Sequence, residues 1–451
     1  MPENELTQGP VIRSLLVFSL PMIVGSLLQQ LYNIADTMIV GRCLGADALA
    51  AVGSSYSLMT FLTSLILGLN LGSAVLCSIH FAQHRFDLLR QDMLHAFVMC
   101  FGICLLLNLL CYLFLPQILL LLQVPPEVRA PMRAYLFWIF SGLTGVFLYN
   151  FFASVLRALS ISSVPLYFLA LSAVLNIGLD LLLILVIPLG TAGAAIATVI
   201  SQYVSGIGLC LYFRHRFPQL RLHQDELHLS GSIFKQLASL SILTALQQSV
   251  MNFGILLVQG RVNSFGPSVM AAFAAAVKID SFAYMPVQEF GTAFSTFVAQ
   301  NYGAGQYERI RQGTRSAVLA VFGFCLLLSA LIFVFAGPLM ELFVSASSTE
   351  IIQTGIDYLR IEGSFYFGIG LLFLLYGYYR AMQKPGMSLI LTILSLGTRV
   401  VLAYSLSAIP AVGVTGIWLS VPVGWSLADL FGVFWYFFHP NKPIPVPEYS
   451  H

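Results

Sequence analysis

The sequence predicts an all-α integral membrane protein with twelve transmembrane helices in two six-helix lobes, and three observations lead to this fold class. The composition is 58% hydrophobic and 9% charged, with a mean hydropathy of +0.87, which is too apolar for a chain that folds in water. Long apolar segments recur along the whole chain, and the second half repeats features of the first. The apolar segments are continuous rather than alternating, which favours helices over a β-barrel.

The apolar segments define the predicted elements in chain order. Each is about 20 residues or longer and can therefore cross a hydrocarbon core about 30 Å thick. The predicted spans are residues 13–40, 48–80, 93–115, 131–156, 164–187, 192–213, 236–260, 268–298, 314–337, 351–379, 386–407 and 413–438.

The positions of the basic residues predict the orientation in the membrane. If the N-terminus is cytoplasmic and the spans alternate, most of the 21 Lys and Arg residues lie on the inner side, as the positive-inside rule requires. The exceptions are Arg42, Arg129, Arg133 and Arg261 in outer loops and Lys278, Arg360 and Arg399 inside spans. We therefore expect both termini in the cytoplasm and a multi-pass protein of the bacterial inner membrane. Topology accounts for the basic residues, so no nucleic-acid partner is expected.

An internal duplication divides the chain. At one constant offset, Gln29, Asn33, Gly41 and Arg42 align with Gln248, Asn252, Gly260 and Arg261. Each half holds six spans, an even number, so both halves enter from the same side and the repeat is parallel. The predicted domains are an N-terminal lobe (1–213), a cytoplasmic linker (214–235), a C-terminal lobe (236–438) and a cytoplasmic tail (439–451). Two lobes around a midplane site are typical of transporters.

Two acidic residues of the first half are the main functional signal. Asp36 and Asp180 lie late in apolar spans, and no Lys or Arg is predicted to be buried with them. An ionised carboxylate in hydrocarbon is costly, so such residues indicate a functional site. Asp36 alone would also fit a helix cap or a side chain that reaches interfacial water. Their duplicate positions are Ile255 and Ala403, so the second half lacks the pair.

Depth along the helices predicts that these residues meet. With about 1.5 Å of rise per residue, Asp36, Asp180 and Thr198 all lie roughly 6 to 11 Å below the outer surface. Asn176 shares a helix face with Asp180, as Ala194 does with Thr198. Carboxylate, amide, hydroxyl and backbone carbonyl oxygens suit a small hard cation such as Na⁺, or a proton if the site stays dry.

The first span carries two further features. Gln29, Tyr32, Asn33 and Asp36 recur on one helix face, and Gln248 and Asn252 repeat part of this stripe, so we expect them to line a cavity. Hydrogen bonds between helices are the alternative role. Pro21 removes one backbone hydrogen bond and is a candidate hinge, with a static kink as the alternative.

The second half contains charges of both signs inside its spans. Lys278, Arg360 and Arg399 are balanced in number by Asp280, Asp357 and Glu362. Because buried charges pair, we interpret these six residues as a charge network that holds the lobe together or shapes the cavity, rather than as an ion pathway.

Several short motifs together resemble the multidrug and toxic compound extrusion (MATE) family of cation-coupled antiporters. They are Pro21, the run Asp36–Gly45, Arg157-Ala158, Asn176–Asp180 and Gly193–Thr198. Within the family the chain is most similar to the branch named for a DNA-damage-inducible protein, DinF. That resemblance implies a cation site at Asp36, Asn176, Asp180, Thr198 and the Ala194 carbonyl. The chain departs from the family at residues 81–87, where a glycine-containing turn is common; the repeat keeps it at residues 301–305.

The resemblance implies a secondary active transporter that exports amphipathic, often cationic compounds in exchange for Na⁺ or H⁺. A flippase for a lipid-linked saccharide or another lipid is the alternative. An enzyme is not expected, because His80, His84 and His95 lie near the inner surface without an acidic or cysteine pattern beside them. No GxxxxGK[ST] motif supports ATP as a partner. We expect no cofactor, small-molecule substrates, the lipid bilayer as surroundings, and a monomer.

Overall fold

The computed structural model describes residues 6–121, 124, 126–221, 229–345 and 347–439. The centre of the predicted linker (222–228) and nearly all of the predicted tail, including Lys442, lie outside the described residues. The described residues form α-helices, one π-helical segment and one 3₁₀ turn, and contain no strand.

Fifteen α-helices follow one another in the described part of the chain. They are α1 (Val11–Leu44), α2 (Ala46–Ala82), α3 (Phe86–Leu113), α4 (Leu115–Leu121), α5 (Pro126–Ser141), α6 (Leu143–Ala158), α7 (Ser163–Leu181), α8 (Thr191–Arg216), α9 (Gly231–Asn263), α10 (Pro267–Gly303), α11 (Tyr307–Glu341), α12 (Thr349–Gly363), α13 (Tyr366–Ala381), α14 (Pro385–Ser407) and α15 (Thr415–Phe438).

The predicted all-α membrane architecture is confirmed. Eleven helical stretches in the described residues are long and apolar enough to cross a membrane, with α5 and α6 counted as one stretch. The pair α12 and α13, bent by 51°, makes a twelfth when the two helices are counted as one broken span. Several helices are longer than predicted, because polar residues at their ends continue the helix. Helix α3, for example, begins at Phe86 rather than at residue 93.

The duplication is visible in the fourth span of each half. Both spans are broken, and the second piece is a 16-residue helix, α6 in the first half and α13 in the second. The turns that follow also match, because Ser160 and Gln383 both have a positive φ, of 64° and 59°. Arg157-Ala158 and Arg380-Ala381 match in sequence, and the turns that follow them thus also match in backbone conformation.

Backbone contacts divide the chain into two compact units. Unit 1 contains residues 1–253 and 296–314, and unit 2 contains residues 254–295 and 315–451. The beginning of α9 and the junction of α10 and α11 therefore pack with the first half of the chain. The predicted domain boundaries follow the duplication rather than this packing, and they stay a prediction.

Glycines on α2 bring α9 into unit 1. A Cβ atom built on Gly68 would lie 2.4 Å from Cα of Ala245, and one built on Gly72 would lie 2.5 Å from Cα of Ser241. These distances are far below van der Waals contact, so only glycine permits this approach of the two backbones. Small residues spaced four apart are typical of close helix crossings in membranes.

Arg309, near the start of α11, secures the N-terminal segment of unit 1. Its guanidinium donates to the backbone carbonyl of Gly9 at 2.7 Å, of Gln8 at 2.7 Å and of Leu6 at 3.1 Å. The guanidinium also lies over the ring of Phe297, 5.6 Å from its centroid. Charged donors make strong hydrogen bonds, so this one side chain holds residues 6–9 against the bundle.

Candidate functional site

The predicted cation-coupling residues meet in unit 1, where α1, α7 and α8 pack together. Helix α1 approaches α7 at Gly25, where a Cβ atom would lie 3.5 Å from the side chain of Leu169. Helix α8 approaches the end of α7 at Gly193, where a Cβ atom would lie 2.7 Å from the carbonyl oxygen of Leu183. The contact at Gly25 is an ordinary van der Waals distance, whereas at Gly193 only glycine permits so close an approach.

The carboxyl groups of Asp36 and Asp180 lie beside each other, close enough to share a hydrogen bond. Asp180 is fully buried, and Asp36 is half-buried. Apart from this mutual contact, both side-chain oxygens of Asp180 and Oδ1 of Asp36 have no hydrogen-bond partner among the described residues. No Lys or Arg of the described chain forms an ion pair with either. The pair can accept a cation or a proton.

Asn176 and Thr198 lie next to this pair and are joined to each other. The Nδ2 group of Asn176 donates to Oγ1 of Thr198 at 3.2 Å, and that hydroxyl donates to the carbonyl oxygen of Ala194 at 3.1 Å. The Oδ1 atom of Asn176 is buried and has no donor in the described part of the chain. The amide is therefore oriented with its oxygen free to act as a ligand.

Tyr135 on α5 is a member of this site that the sequence did not indicate. Its buried side chain lies within electrostatic range of Asp36, Asp180 and Tyr32. Helix α5 is attached to α8 nearby, because the Thr191 hydroxyl donates to the carbonyl oxygen of Pro131 at 3.0 Å. A tyrosine in an apolar segment has no distinguishing pattern, so only the packing identifies it.

The backbone just beyond Asp180 is also unexpected. Helix α7 continues as a π-helical segment, Leu182–Val186, and the N–H of Ile187 bonds the carbonyl of Leu182 at 2.9 Å. Such segments occur frequently at functional sites because the wider turn redirects neighbouring side chains. The run of leucine, isoleucine and valine there predicted an ordinary helix.

The polar stripe on α1 leads from this site along the helix. Gln29 is exposed and hydrogen-bonded to Tyr32, which in turn lies near Asp36. Asn33 is half-buried and contacts Gln30 at 3.4 Å. Pro21 lies inside the same continuous helix, so no break separates it from Asp36. Its role as a hinge stays a prediction.

Gln248 and Asn252 belong to unit 1, although they lie in the second half of the sequence. Nδ2 of Asn252 donates to the backbone carbonyl of Gln248 at 3.2 Å. Both residues are half-buried, and no hydrogen bond in the described residues joins them to the stripe on α1. Their predicted role in lining a cavity remains a prediction.

The structure divides the predicted six-residue charge network of the second half. Asp280 and Glu362 are buried, and the half-buried Arg399 lies within electrostatic range of both. The side chains of Tyr366 and Tyr358 lie beside these two carboxylates. This core carries two acidic groups and one basic group, so the predicted balance of three against three does not hold.

The other three predicted members, Lys278, Asp357 and Arg360, are exposed. Oδ1 of Asp357 accepts a hydrogen bond from Gln353 at 2.9 Å, and Arg360 lies 5.0 Å from the centroid of the Phe333 ring. The reason is helix geometry, because Lys278 and Arg360 are each two residues away from a buried acid and thus point to the opposite face.

One interpretation of the histidines was wrong. His80 was expected to lack an acidic neighbour, but Nδ1 of His80 lies 2.5 Å from Oδ2 of Asp92, and both side chains are buried. The sequence did not indicate this pair, because Asp92 was predicted to lie in a polar loop before the third span. The early start of α3 at Phe86 brings Asp92 into the helix instead. A further buried acid, Asp429 on α15, was also missed.

Comparison with known proteins gives one consistent result. The protein-family profile described as MatE matches residues 21–182 and 241–405. The chain is 32% identical over 443 residues to the probable multidrug resistance protein YpnP of Bacillus subtilis (strain 168), covering 97% of each chain. It is 27% identical over 431 residues to the probable multidrug resistance protein YoeA of the same organism, covering 93% of this chain and 92% of that one.

A solved structure agrees with the fold. A MOP superfamily transporter from Pyrococcus furiosus superimposes with a TM-score of 0.90 at 22% sequence identity, covering 96% of this chain and 97% of that chain.

Proposed function

The chain belongs to the MATE family of multidrug efflux transporters, and from that premise we propose that it is an antiporter that exchanges Na⁺ or H⁺ for an organic substrate. The exported compounds are amphipathic and often cationic. The relatives carry the name of multidrug resistance proteins, which supports this substrate class. We assign the chain to the DinF-like branch because its acidic pair lies in the first half.

The observation that carries the proposal is the contact between Asp36 and Asp180. Asp180 is buried and Asp36 is half-buried, and neither has a basic partner among the described residues. The two carboxylates repel each other and are poorly solvated, so together they favour binding of a cation or proton. The amide oxygen of Asn176 and the Ala194 carbonyl supply neutral ligands of the kind that Na⁺ prefers. The same atoms serve either coupling ion.

Coupling follows from competition for one region of negative charge. When the pair is ionised, it attracts a cationic substrate; when it has bound a coupling ion from outside, that attraction is lost and the substrate leaves. Asp36 and Pro21 lie on one continuous helix, α1, so ion binding at Asp36 can act on the backbone at Pro21, where one helix hydrogen bond is missing. The protein then exposes its site to the other side of the membrane.

The driving force is adequate for export. An inward-moving cation gains about 2.3 kcal/mol per 100 mV of membrane potential. A tenfold concentration gradient adds about 1.4 kcal/mol. Neither ATP nor a cofactor is needed, and the proposed form is a monomer in the bacterial inner membrane with both termini in the cytoplasm.

The test is dye export from proteoliposomes under separately imposed Na⁺ and pH gradients. Asp36→Asn removes one ionisable group and keeps the shape of the side chain, so we expect gradient-driven export to fall to the level of empty liposomes. The gradient that drives the wild type identifies the coupling ion.

The matched control is Asp47→Asn, which makes the same change at an exposed position at the start of α2 and should transport normally. Normal export by Asp36→Asn against a gradient would refute the assigned coupling site. A folded wild type that moves no dye under either gradient, but moves a lipid-linked saccharide, would instead make the protein a flippase.

A further inference from the structure

A second buried ionisable pair lies in unit 1, at the end of α2 opposite the cation-coupling residues. His80 on α2 and Asp92 on α3 are each 1% exposed, and Nδ1 of His80 lies 2.5 Å from Oδ2 of Asp92. By the predicted topology this is the cytoplasmic end of both helices. The proposed coupling mechanism makes no use of this pair.

The hydrogen-bond pattern leaves one position for an additional proton. The short contact holds one proton between Nδ1 and Oδ2, whichever atom carries it. His80 Nε2 and Asp92 Oδ1 are buried without a hydrogen-bond partner among the described residues. With one shared proton the pair has a net charge of −1. With a second proton, on Nε2, its net charge is zero, and a buried net charge is costly.

Neighbouring His95 has both ring nitrogens in hydrogen bonds and offers no free position for that proton. Its Nδ1–H donates to the Gln91 carbonyl oxygen at 2.7 Å, and its Nε2 accepts from the backbone N–H of Ser230 at 2.8 Å. A protonated ring would present an N–H to the N–H of Ser230 and lose this bond. His95 thereby joins α3 to the part of the predicted linker that precedes α9.

No Lys or Arg of the described chain forms an ion pair with Asp92. Cys77 is the further ionisable side chain within electrostatic range of Asp92, and Cys100 lies next to Cys77. At the inner ends of α1, α6 and α9, which pack on α2, the charged residues are Arg13, Arg157 and Lys235. None of them forms an ion pair with Asp92 in the described part of the chain.

The end of α10 also packs here and contributes no charge. A Cβ atom on Gly303 would lie 2.4 Å from the carbonyl oxygen of Ile79, and the nearby polar residues of α10, Gln300 and Asn301, are neutral. At the offset that aligns His84 with Gly305, His80 and Asp92 fall on Asn301 and Gly313. The pair therefore belongs to the first half alone, as Asp36 and Asp180 do.

We propose that His80 and Asp92 form a proton-binding site at the inner end of the N-terminal helices, filled from the cytoplasmic side. Its ligand is a proton, and its two states differ in the net charge buried between α2 and α3. A pair with a purely structural role would hold the two helices together in one fixed protonation state at every pH. A measurement of protonation against pH therefore distinguishes the two roles.

The primary test measures protonation of the purified full-length protein in lipid nanodiscs between pH 5 and 9. Ring-¹⁵N histidine spectra of wild type and His80→Gln identify the His80 signal by its loss. We expect the His80 ring signal to change from the neutral to the doubly protonated form within this range. Over the same range, the His80→Gln variant should take up about one proton fewer than the wild type. A His80 ring that keeps one protonation state throughout would overturn the proposal.

Two further variants make the result specific. Asp92→Asn removes the carboxylate but keeps a hydrogen-bonding side chain, and it should move the titration of His80 to lower pH. His84→Asn removes an exposed histidine from the adjoining turn, and it should leave the His80 titration unchanged. If Asp92→Asn does not fold, the wild-type and His80→Gln spectra still decide the question.

A transport measurement asks whether the site affects function, and this arm alone rests on the proposed antiport. In proteoliposomes with fixed outer pH, the rate of wild-type export should vary with cytoplasmic-side pH around the midpoint of the His80 titration. His80→Gln should lose that dependence, and His84→Asn should keep it. Absence of export in the wild type would count against antiport, while the spectra would still decide the proton site.

Discussion

At the scale of single residues, identical chemical groups differ in what they can bind because their partners differ. Asp36 and Asp180 have each other as the charged neighbour, whereas Asp280 and Glu362 share Arg399. A carboxylate whose charge is already offset gains less from binding another cation. The acidic pair of the first half is thus better suited to bind and release an ion than the acidic pair of the second.

The sequence predicted which candidate site residues share a helix face, because helical spacing carries that information. Asn176 and Asp180 lie one helical turn apart, as do Ala194 and Thr198, so each pair shares a face whatever the packing. Tyr135 escaped notice because its place depends on how α5 docks on α8, which no local pattern encodes. The same holds for His80 and Asp92, whose contact depends on where α3 begins.

Thr198 offers a test of the neutral ligands at the site. In Thr198→Val the amide of Asn176 loses its hydrogen-bond acceptor, so its oxygen is no longer held in a fixed orientation. A lost hydrogen bond of this kind is worth about 1 kcal/mol. We therefore expect the ion concentration for half-maximal export to rise by roughly fivefold.

The control for this change is Thr37→Val on α1. Its hydroxyl also bonds the carbonyl four residues earlier, at 2.8 Å, but is exposed and takes no part in the site. An unchanged ion dependence in Thr198→Val, with the control also normal, would remove Thr198 and Asn176 from the site.

At the scale of elements, the turn between α2 and α3 shows how the chain departs from its own repeat. His84 has a φ of 56°, and Gly305 at the duplicate position has a φ of 70°. The hydrogen bonds match as well, from Arg85 N–H to the His80 carbonyl at 3.0 Å and from Gln306 N–H to the Asn301 carbonyl at 2.8 Å. A histidine therefore occupies a left-handed position that favours glycine.

Replacing this histidine should stabilise the protein. His84→Gly removes the steric cost of the left-handed conformation, and we expect a gain of about 1 kcal/mol in the free energy of unfolding. The measurement is the thermal unfolding midpoint in detergent. Gly305→Ala makes the reverse change at the duplicate turn, where a Cβ atom meets nothing within 4 Å, and should lower the midpoint. A lower midpoint for His84→Gly would mean that the side chain has a stabilising contact that outweighs the strain.

The elements themselves could largely be predicted, because a span needs only length and apolar composition. The breaks and bends within these elements could not be predicted. The break near Gly142 lies in a segment that is apolar on both sides, and the predicted span 351–379 runs straight through the bend between α12 and α13. Hydropathy cannot distinguish one straight helix from two joined pieces, and the backbone groups freed at the break are hidden from any sequence pattern.

At the scale of the whole molecule, the duplicated halves and the packed units are not the same. Residues 236–253 of α9 repeat residues 17–34 of α1 in sequence but pack with the first half. The reason is the close crossing of α2 and α9 at Gly68 and Gly72. An alignment of the halves reveals common ancestry, but it contains no information about which surface each copy contacts.

This crossing predicts a sharp contrast between two glycines of the same helix. In Gly72→Ala the new methyl group would lie 2.5 Å from the backbone carbonyl of Leu240, so α9 must move away, and we expect a large loss of folded protein. Gly53→Ala adds the same methyl group where nothing lies within 4 Å and should have little effect. Fluorescence-detected size-exclusion chromatography of the two variants measures the folded fraction. Equal profiles would show that the close crossing is not needed for folding.

The glycine face of α2 also has a consequence for how the protein is made. The ribosome must complete six spans and the residues up to α9 before anything can cover Gly68 and Gly72. Until then the glycine face of α2 in the nascent first half is exposed to lipid and can be contacted by a second nascent chain or by an insertion chaperone. The early helices of each molecule must therefore stay incompletely packed during synthesis. The first unit can close only when the seventh span, rather than the sixth, has been made.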